Sequence, residues 1–246
     1  MESFALFIWK KRKKYVFLQW KYAYEPIFSM YKLFYELLQV ATGQLDCLSR
    51  GPSPEEWHEL YETAARQQTT AIAYRGVEKL FEFGLRAPQD LAIDWMAEAE
   101  ESTDYRDGEL QLPLCPPVKS DNYRDRVSSP TVQALLMIKR LRTDFYDHRA
   151  NLRQLLDLFF VLQRAKGNFE PLADGTTLQK ALRRPGLMRF AQGVMWMLQE
   201  VLALDRSYMP LAPREREGRF VLDDIMSERR QLLHFVRNYP WLMLVS

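Results

Sequence analysis

Apolar residues in this chain recur three and four apart from Tyr31 onward, and that helical period excludes an architecture built mainly on sheets. Phe34, Leu37, Leu38 and Ala41 follow the i, i+3, i+4, i+7 rule, so one face of the first segment is made for burial, with Gly43 as its stop. Ser53 then stands as an N-cap before Pro54, with Glu55 and Glu56 in the first turn. That arrangement satisfies free backbone N–H groups and suits the helix dipole. The spacing predicts a helix from there through about Gln67, another over Thr69 to Phe83, and a fourth opened by Pro88 at its first position and running through Trp95 to Glu101. Connections this short favour antiparallel neighbours in a compact array.

Between Ser102 and Ser129 the period collapses. Pro113, Pro116 and Pro117 and the charged stretch Tyr105-Arg106-Asp107-Gly108 leave no sustained apolar face, so the segment reads as a linker with at most a short strand at Glu109 to Leu114. The helical period then resumes. Ser129-Pro130 opens a helix through about Phe145, with Val132, Leu135, Leu136, Ile138 and Leu141 inward and Lys139, Arg140 and Arg142 cationic. Asn151 to Leu162 carries a broad stripe of Leu152, Leu155, Leu156, Phe159 and Phe160, with Arg153 and Asp157 four apart on its other side, where a surface ion pair contributes about 0.2–0.5 kcal/mol. Thr177 caps a short helix, and Pro185-Gly186 breaks the chain before a long one from Leu187 to about Leu204. The face of that long helix is Phe190, Val194, Met197, Leu198, Val201 and Leu202. Its methionines and Trp196 are core residues before they are a cofactor box, though a Met-rich surface can also be an adaptable groove. The fold expected is therefore all-α, a multi-helix array from two helical blocks.

Composition narrows the function classes. The chain has 246 residues, 47% hydrophobic and 27% charged, which is globular rather than disordered. A formal net charge of +2 is too small to argue for nucleic acid. Cys47 and Cys115 are far apart and His58, His148 and His234 are scattered, so neither a disulfide nor a structural zinc is expected. Phe4 to Trp9 is apolar and Lys10-Lys11-Arg12-Lys13-Lys14 follows it, the reverse of the order in an export signal, and the apolar run is too short to cross a bilayer. Residues 4–24, with Tyr15, Phe17, Trp20, Tyr22 and Tyr24 behind the cations, could rest on a membrane surface or an anionic polymer. A cytoplasmic location is the expectation.

Specific residues carry a family likeness. Phe34-Tyr35-Glu36-Leu37-Leu38 is followed by Glu55-Glu56-Trp57, Leu60-Tyr61, Ala64, Gln67-Gln68, Gly76 and Glu78-Lys79-Leu80. Further on come Ser129-Pro130, Leu135-Leu136, Leu141-Arg142, Leu152-Arg153-Gln154-Leu155-Leu156-Asp157 and Asn238-Tyr239-Pro240. From Met30 to about Glu101, and from about Ser128 to Ser246, the chain resembles the two helical flanks of the uncharacterised nucleotidyltransferases common in Bacteroidota. The resemblance implies an organisation of an extension (1–29), an N-terminal helical block (30–101), a segment standing where the catalytic domain would be (102–128) and a C-terminal helical block (129–246), the two blocks forming one domain. It also implies that the C-terminal end stops short of a further aromatic-rich helix. The family's histidine near the end of the fifth helix aligns with Asp144, a departure. Arg153 and Asp157 match a pair that, in related enzymes, braces the helical part against the catalytic sheet.

Such enzymes hold Mg²⁺ against a triphosphate with two carboxylates one residue apart on a strand and a third on a neighbouring strand. Glu98 and Glu100 fail this, because residues two apart on a helix point to different sides. Glu215 and Glu217 alternate with Arg214 and Arg216 in a loop-like run of solvated charge. No Gly-Ser dipeptide, Walker loop or Ser-His-Asp order occurs. The expectation is a degenerate member of the family without catalytic residues, cofactor or metal. One alternative is an interaction module that binds a protein partner, or a second copy, through an apolar helical face left uncovered. The other is an active enzyme using Mg²⁺ and a nucleoside triphosphate, with Asp104, Asp107, Glu109 and Asp121 as its metal cluster.

Overall fold

A computed structural model describes residues 31–102, 129–184 and 186–226, with the backbone alone of 105–106 and 109–110. It is helical, as the apolar period requires. The N-terminal block holds α1 (Lys32–Thr42), α2 (Pro54–Arg66), α3 (Thr70–Glu82) and α4 (Gln89–Glu101). Gly43 ends α1 in the left-handed region at φ 76°, where its N–H meets the carbonyl of Val40. Ser53 and Glu56 close a reciprocal capping box on α2, and Arg50 clamps the Glu56 carboxylate. Those two partners hold the Glu56 carboxyl down at about 2. Pro88 is the residue before α4 rather than its first: its backbone is extended (ψ 138°) while its carbonyl accepts the first helical bond, from Ala92.

Two strands of two residues, β1 (Tyr105–Arg106) and β2 (Glu109–Leu110), pair antiparallel after α4, with Tyr105 opposite Leu110 and Arg106 opposite Glu109. The expected strand thus begins at Glu109 but is described only to Leu110. The C-terminal block follows as α5 (Pro130–Tyr146), α6 (Leu152–Ala165), α7 (Leu178–Ala181), α8 (Leu187–Leu202), a 3₁₀ turn at Arg206–Tyr208, and α9 (Glu215–Met226). Asn151 and Thr177 cap α6 and α7 through the N–H groups of Gln154 and Lys180. Val132, Leu136 and Phe160 are only half-buried. The inward face of α5 is centred instead on Ala134, Leu135, Ile138, Leu141 and Phe145.

The long helix α8 is the axis of the fold. Eleven of its sixteen residues are buried, Met195 and Trp196 among them, because α1, α5, α6 and α9 surround it. Met195, Trp196 and Met197 are therefore core residues. Two crossings bring backbones into contact. A Cβ at Gly76 of α3 would lie 2.7 Å from the Leu37 carbonyl oxygen of α1, and one at Gly218 of α9 would lie 2.8 Å from the Gly193 carbonyl oxygen of α8. Lys79 adds a polar lock at the first crossing, donating from Nζ to the last carbonyls of α1, Val40 (3.0 Å) and Ala41 (3.1 Å).

The run at Glu215 and Glu217 is not a loop. It opens α9, and Glu217 is 9% exposed and paired with Arg214 at 3.5 Å. Behind the alternating charges lies the apolar set Gly218, Val221, Leu222 and Ile225, spaced for one helix face. The two blocks share a continuous core, joined where α8 packs on α1 and where Gln39 Nε2 donates to the Val201 carbonyl at 3.0 Å. No helix among the described residues is long and apolar enough to cross a membrane.

Candidate functional site

Polar side chains link the two helices of the α5–α6 hairpin. These helices run antiparallel, so Gln133, Arg140 and Asp144 of α5 come opposite Arg164, Asp157 and Gln154 of α6. Asp144 is the hub at the connected end. Its carboxylate accepts Gln154 Nε2 at 2.6 Å and faces Arg149 at 3.3 Å and Arg140 at 3.5 Å. A histidine at this position would offer one acceptor, whereas the carboxylate faces three donors, one on α5 itself, one in the turn and one on α6.

Arg153 and Asp157 do form the predicted pair, Nε to Oδ1 at 2.9 Å. It is not a surface pair, because the two side chains are only 12% and 23% exposed. Burial pushes the Asp157 carboxyl up, and the guanidinium groups of Arg153 and Arg140 pull it back only in part. A half-buried pair of this kind is not described by the few tenths of a kcal/mol expected on an open helix. Removing either partner leaves the other half-buried charge less well compensated, where water screens it poorly. The chemistry available at this strip is bracing, since the guanidinium and carboxylate groups point at one another.

Of the alternative metal cluster, Asp104, Asp107 and Asp121 lie outside the described residues, and Glu109 is placed only by the backbone pairing of β2. Among the described residues no three His, Cys, Asp or Glu side chains come together to hold a metal ion. Glu98 and Glu100 both lie on α4, and Glu98 is occupied by the Tyr61 hydroxyl, whose pKa it pushes up to about 12. Cys47 is exposed, as is His58, and His148 sits 3.7 Å from Asp224. The extension at 4–24 and the closing Asn238-Tyr239-Pro240 also lie outside the described residues.

Two glutamines hold the array together: Gln67, which entered the sequence reading only as part of the family likeness, and Gln39, which did not enter it. Gln67, 3% exposed, donates from Nε2 to the Ile225 carbonyl at 3.1 Å and accepts the Leu152 N–H at 3.0 Å, tying α2 to both α9 and α6. Gln39 does the same work between α1 and α8. Their only signal was position: each follows an apolar face closely enough to be carried under a neighbouring helix.

Large apolar side chains that remain exposed are few, and four of the five among the described residues fall on the α3–α4 hairpin: Phe81, Phe83, Ile93 and Met96. No known protein family matches the chain, and no curated protein or solved structure matches it either.

Proposed function

We propose that this protein is a degenerate helical relative of the nucleotidyltransferases, without nucleotidyl transfer of its own. The likeness rests on the residue patterns at 30–101 and 129–246. What supports the loss of catalysis is the use made of the inward carboxylates. Glu36 accepts the Ser49 N–H and hydroxyl, Asp144 binds Gln154 and two arginines, Asp157 binds Arg153, and Glu217 faces Arg214. Each is committed to bracing helices. A metal-dependent transferase needs the opposite arrangement, two or three carboxylates gathered with free lone pairs around Mg²⁺.

An interaction module is the second reading, and the fall of four of the five exposed large apolar side chains among the described residues on one helical hairpin favours it. The partner would be another protein or a second copy of this chain.

Incubation of the full chain with Mg²⁺ and each of the four ribonucleoside triphosphates is expected to release no pyrophosphate above the uncatalysed background. Chelator-sensitive release would contradict the reading. It would return Asp104, Asp107, Glu109 and Asp121 as metal ligands, and their replacement by amides would then abolish the release.

A further inference from the structure

Helix α4 carries an apolar band on the side that the fold leaves bare. Leu91, Trp95 and Ala99 are buried and follow one another at intervals of four, so they mark its inward side. Ile93, Met96 and Ala97, spaced i, i+3, i+4, lie around its outer side, where Ile93 is 53% exposed, Met96 39%, and Ala97 exposed as well. Beside the band runs a strip of acid. Asp90, Asp94, Glu98 and Glu101, spaced i, i+4, i+8, i+11, are all exposed and share one side of the same helix. With Glu100 they make five carboxylates in thirteen residues, against no lysine or arginine.

This strip works against the helix that bears it. Asp90, Asp94 and Glu98 follow at intervals of four, where like charges repel, and three of the five carboxylates stand in the last turn, at the negative end of the helix dipole. Among the described residues no ion pair neutralises any of the five. Glu98 accepts the uncharged Tyr61 hydroxyl, and the cation nearest in sequence, Arg86, lies over the Phe81 ring. Local conflicts kept in this way, without compensation inside the fold, are expected at functional surfaces. Positive charge would relieve the strip, and an apolar surface would cover Ile93 and Met96.

We propose that α4 is a docking helix whose partner is a cationic amphipathic helix of another protein, laid along the band with lysine or arginine against Asp90, Asp94 and Glu101. The apolar side of such a helix is received by Ile93, Met96 and Ala97, and the charges flanking a helical seam set which partner is accepted. A second α4 has no cation to offer the strip. The proposal rests on the interaction reading given above and names the chemistry of its partner.

Fluorescence anisotropy of a labelled peptide on the full chain tests it. The probe is a peptide of leucine and lysine with helical period, about 20 residues long, and its control is the same composition shuffled so that no apolar side forms. The amphipathic peptide should bind about tenfold more tightly than the shuffled one, and less tightly at 1 M salt, where the screening length shrinks to about 3 Å. Its affinity should fall about tenfold in Ile93→Ser/Met96→Ser, and by a similar factor in Asp94→Lys. All three positions are exposed, so the variants are expected to fold, and their melting temperatures check that. Asp94→Lys should melt no lower than the parent, because the new ammonium would stand four residues from both Asp90 and Glu98. Stability kept while affinity is lost is a pattern that a purely structural role for Asp94 would not give.

Equal binding of the two peptides, or full affinity in either variant, overturns the proposal. Light scattering of the same samples separates it from the interaction reading. A parent dimer that Ile93→Ser/Met96→Ser disperses keeps that reading, gives the face to a second copy and overturns the cationic partner. A monomer that binds neither peptide overturns the proposal and takes this face from the interaction reading as well.

Discussion

Gln67→Leu is expected to lower the melting temperature by on the order of 10 °C, although leucine nearly matches glutamine in volume and the site is deep in the core. The amide joins three helices. Its oxygen takes the N–H of Leu152 in the first turn of α6, a group with no partner inside its own helix, and its nitrogen serves the Ile225 carbonyl in the last described turn of α9. Leucine leaves both backbone groups buried and unmade, at about 1–3 kcal/mol each. Gln67→Glu keeps the acceptor but sets a buried carboxylate against the Ile225 carbonyl, so a loss at least as large is expected at neutral pH, easing in acid where the protonated group can donate. Gln89→Leu, at the exposed start of α4, should stay within about 0.5 kcal/mol of the parent. Equal melting temperatures for parent and Gln67→Leu in scanning calorimetry would mean that the bridge holds nothing.

The second large effect is at Gly218. Propensity alone predicts that alanine there stabilises α9 by up to about 1 kcal/mol. The crossing predicts the reverse. A Cβ would run into the Trp196 ring at Cε3 and lie 2.8 Å from the Gly193 carbonyl oxygen, while Gly193 allows no retreat, since a Cβ there would lie 2.9 Å from the Glu217 carbonyl carbon. Gly218→Ala should therefore destabilise by about 2 kcal/mol, and Gly218→Val by about 3 kcal/mol or more as α9 is levered off α8. Near-ultraviolet circular dichroism of Trp196 should change together with the melting temperature. Gly175, where nothing lies within 4 Å, is the comparison site, and Gly175→Asn should be mild despite its φ of 74°. A Gly218→Ala protein that melts above the parent would show that the two helices do not meet as described.

The helix boundaries were legible where a cap residue announces them. Ser53-Pro54, Gly43 and Thr177 each do in the structure what their chemistry requires. The start of α9 was not legible, because alternating Arg and Glu from Arg214 to Glu217 outweighed the apolar spacing that begins at Gly218. The hairpin of β1 and β2 carried a signal that was passed over: Asp107-Gly108 separates its strands, the dipeptide most suited to a two-residue connection.

In the candidate site, spacing was enough to pair Arg153 with Asp157, but it said nothing of depth. Periodicity fixes the angle of a side chain around its helix. How far α6 is sunk among its neighbours decides whether that angle meets water, and that is a tertiary property. Met195 and Trp196 illustrate the same limit on α8, where encirclement by four helices buried positions outside the predicted stripe. Gln67 and Gln39 were hidden for a related reason: a buried amide has the same one-letter signature as a solvated one.

Calorimetric titration of the full chain with ATP, CTP, GTP and UTP in the presence of Mg²⁺ tests the claim of a family relative without nucleotidyl transfer most directly. The account predicts no heat of binding for any of the four from a protein that melts cooperatively. Saturable binding that disappears on adding a chelator would contradict it, and would place a working metal and triphosphate site in the chain.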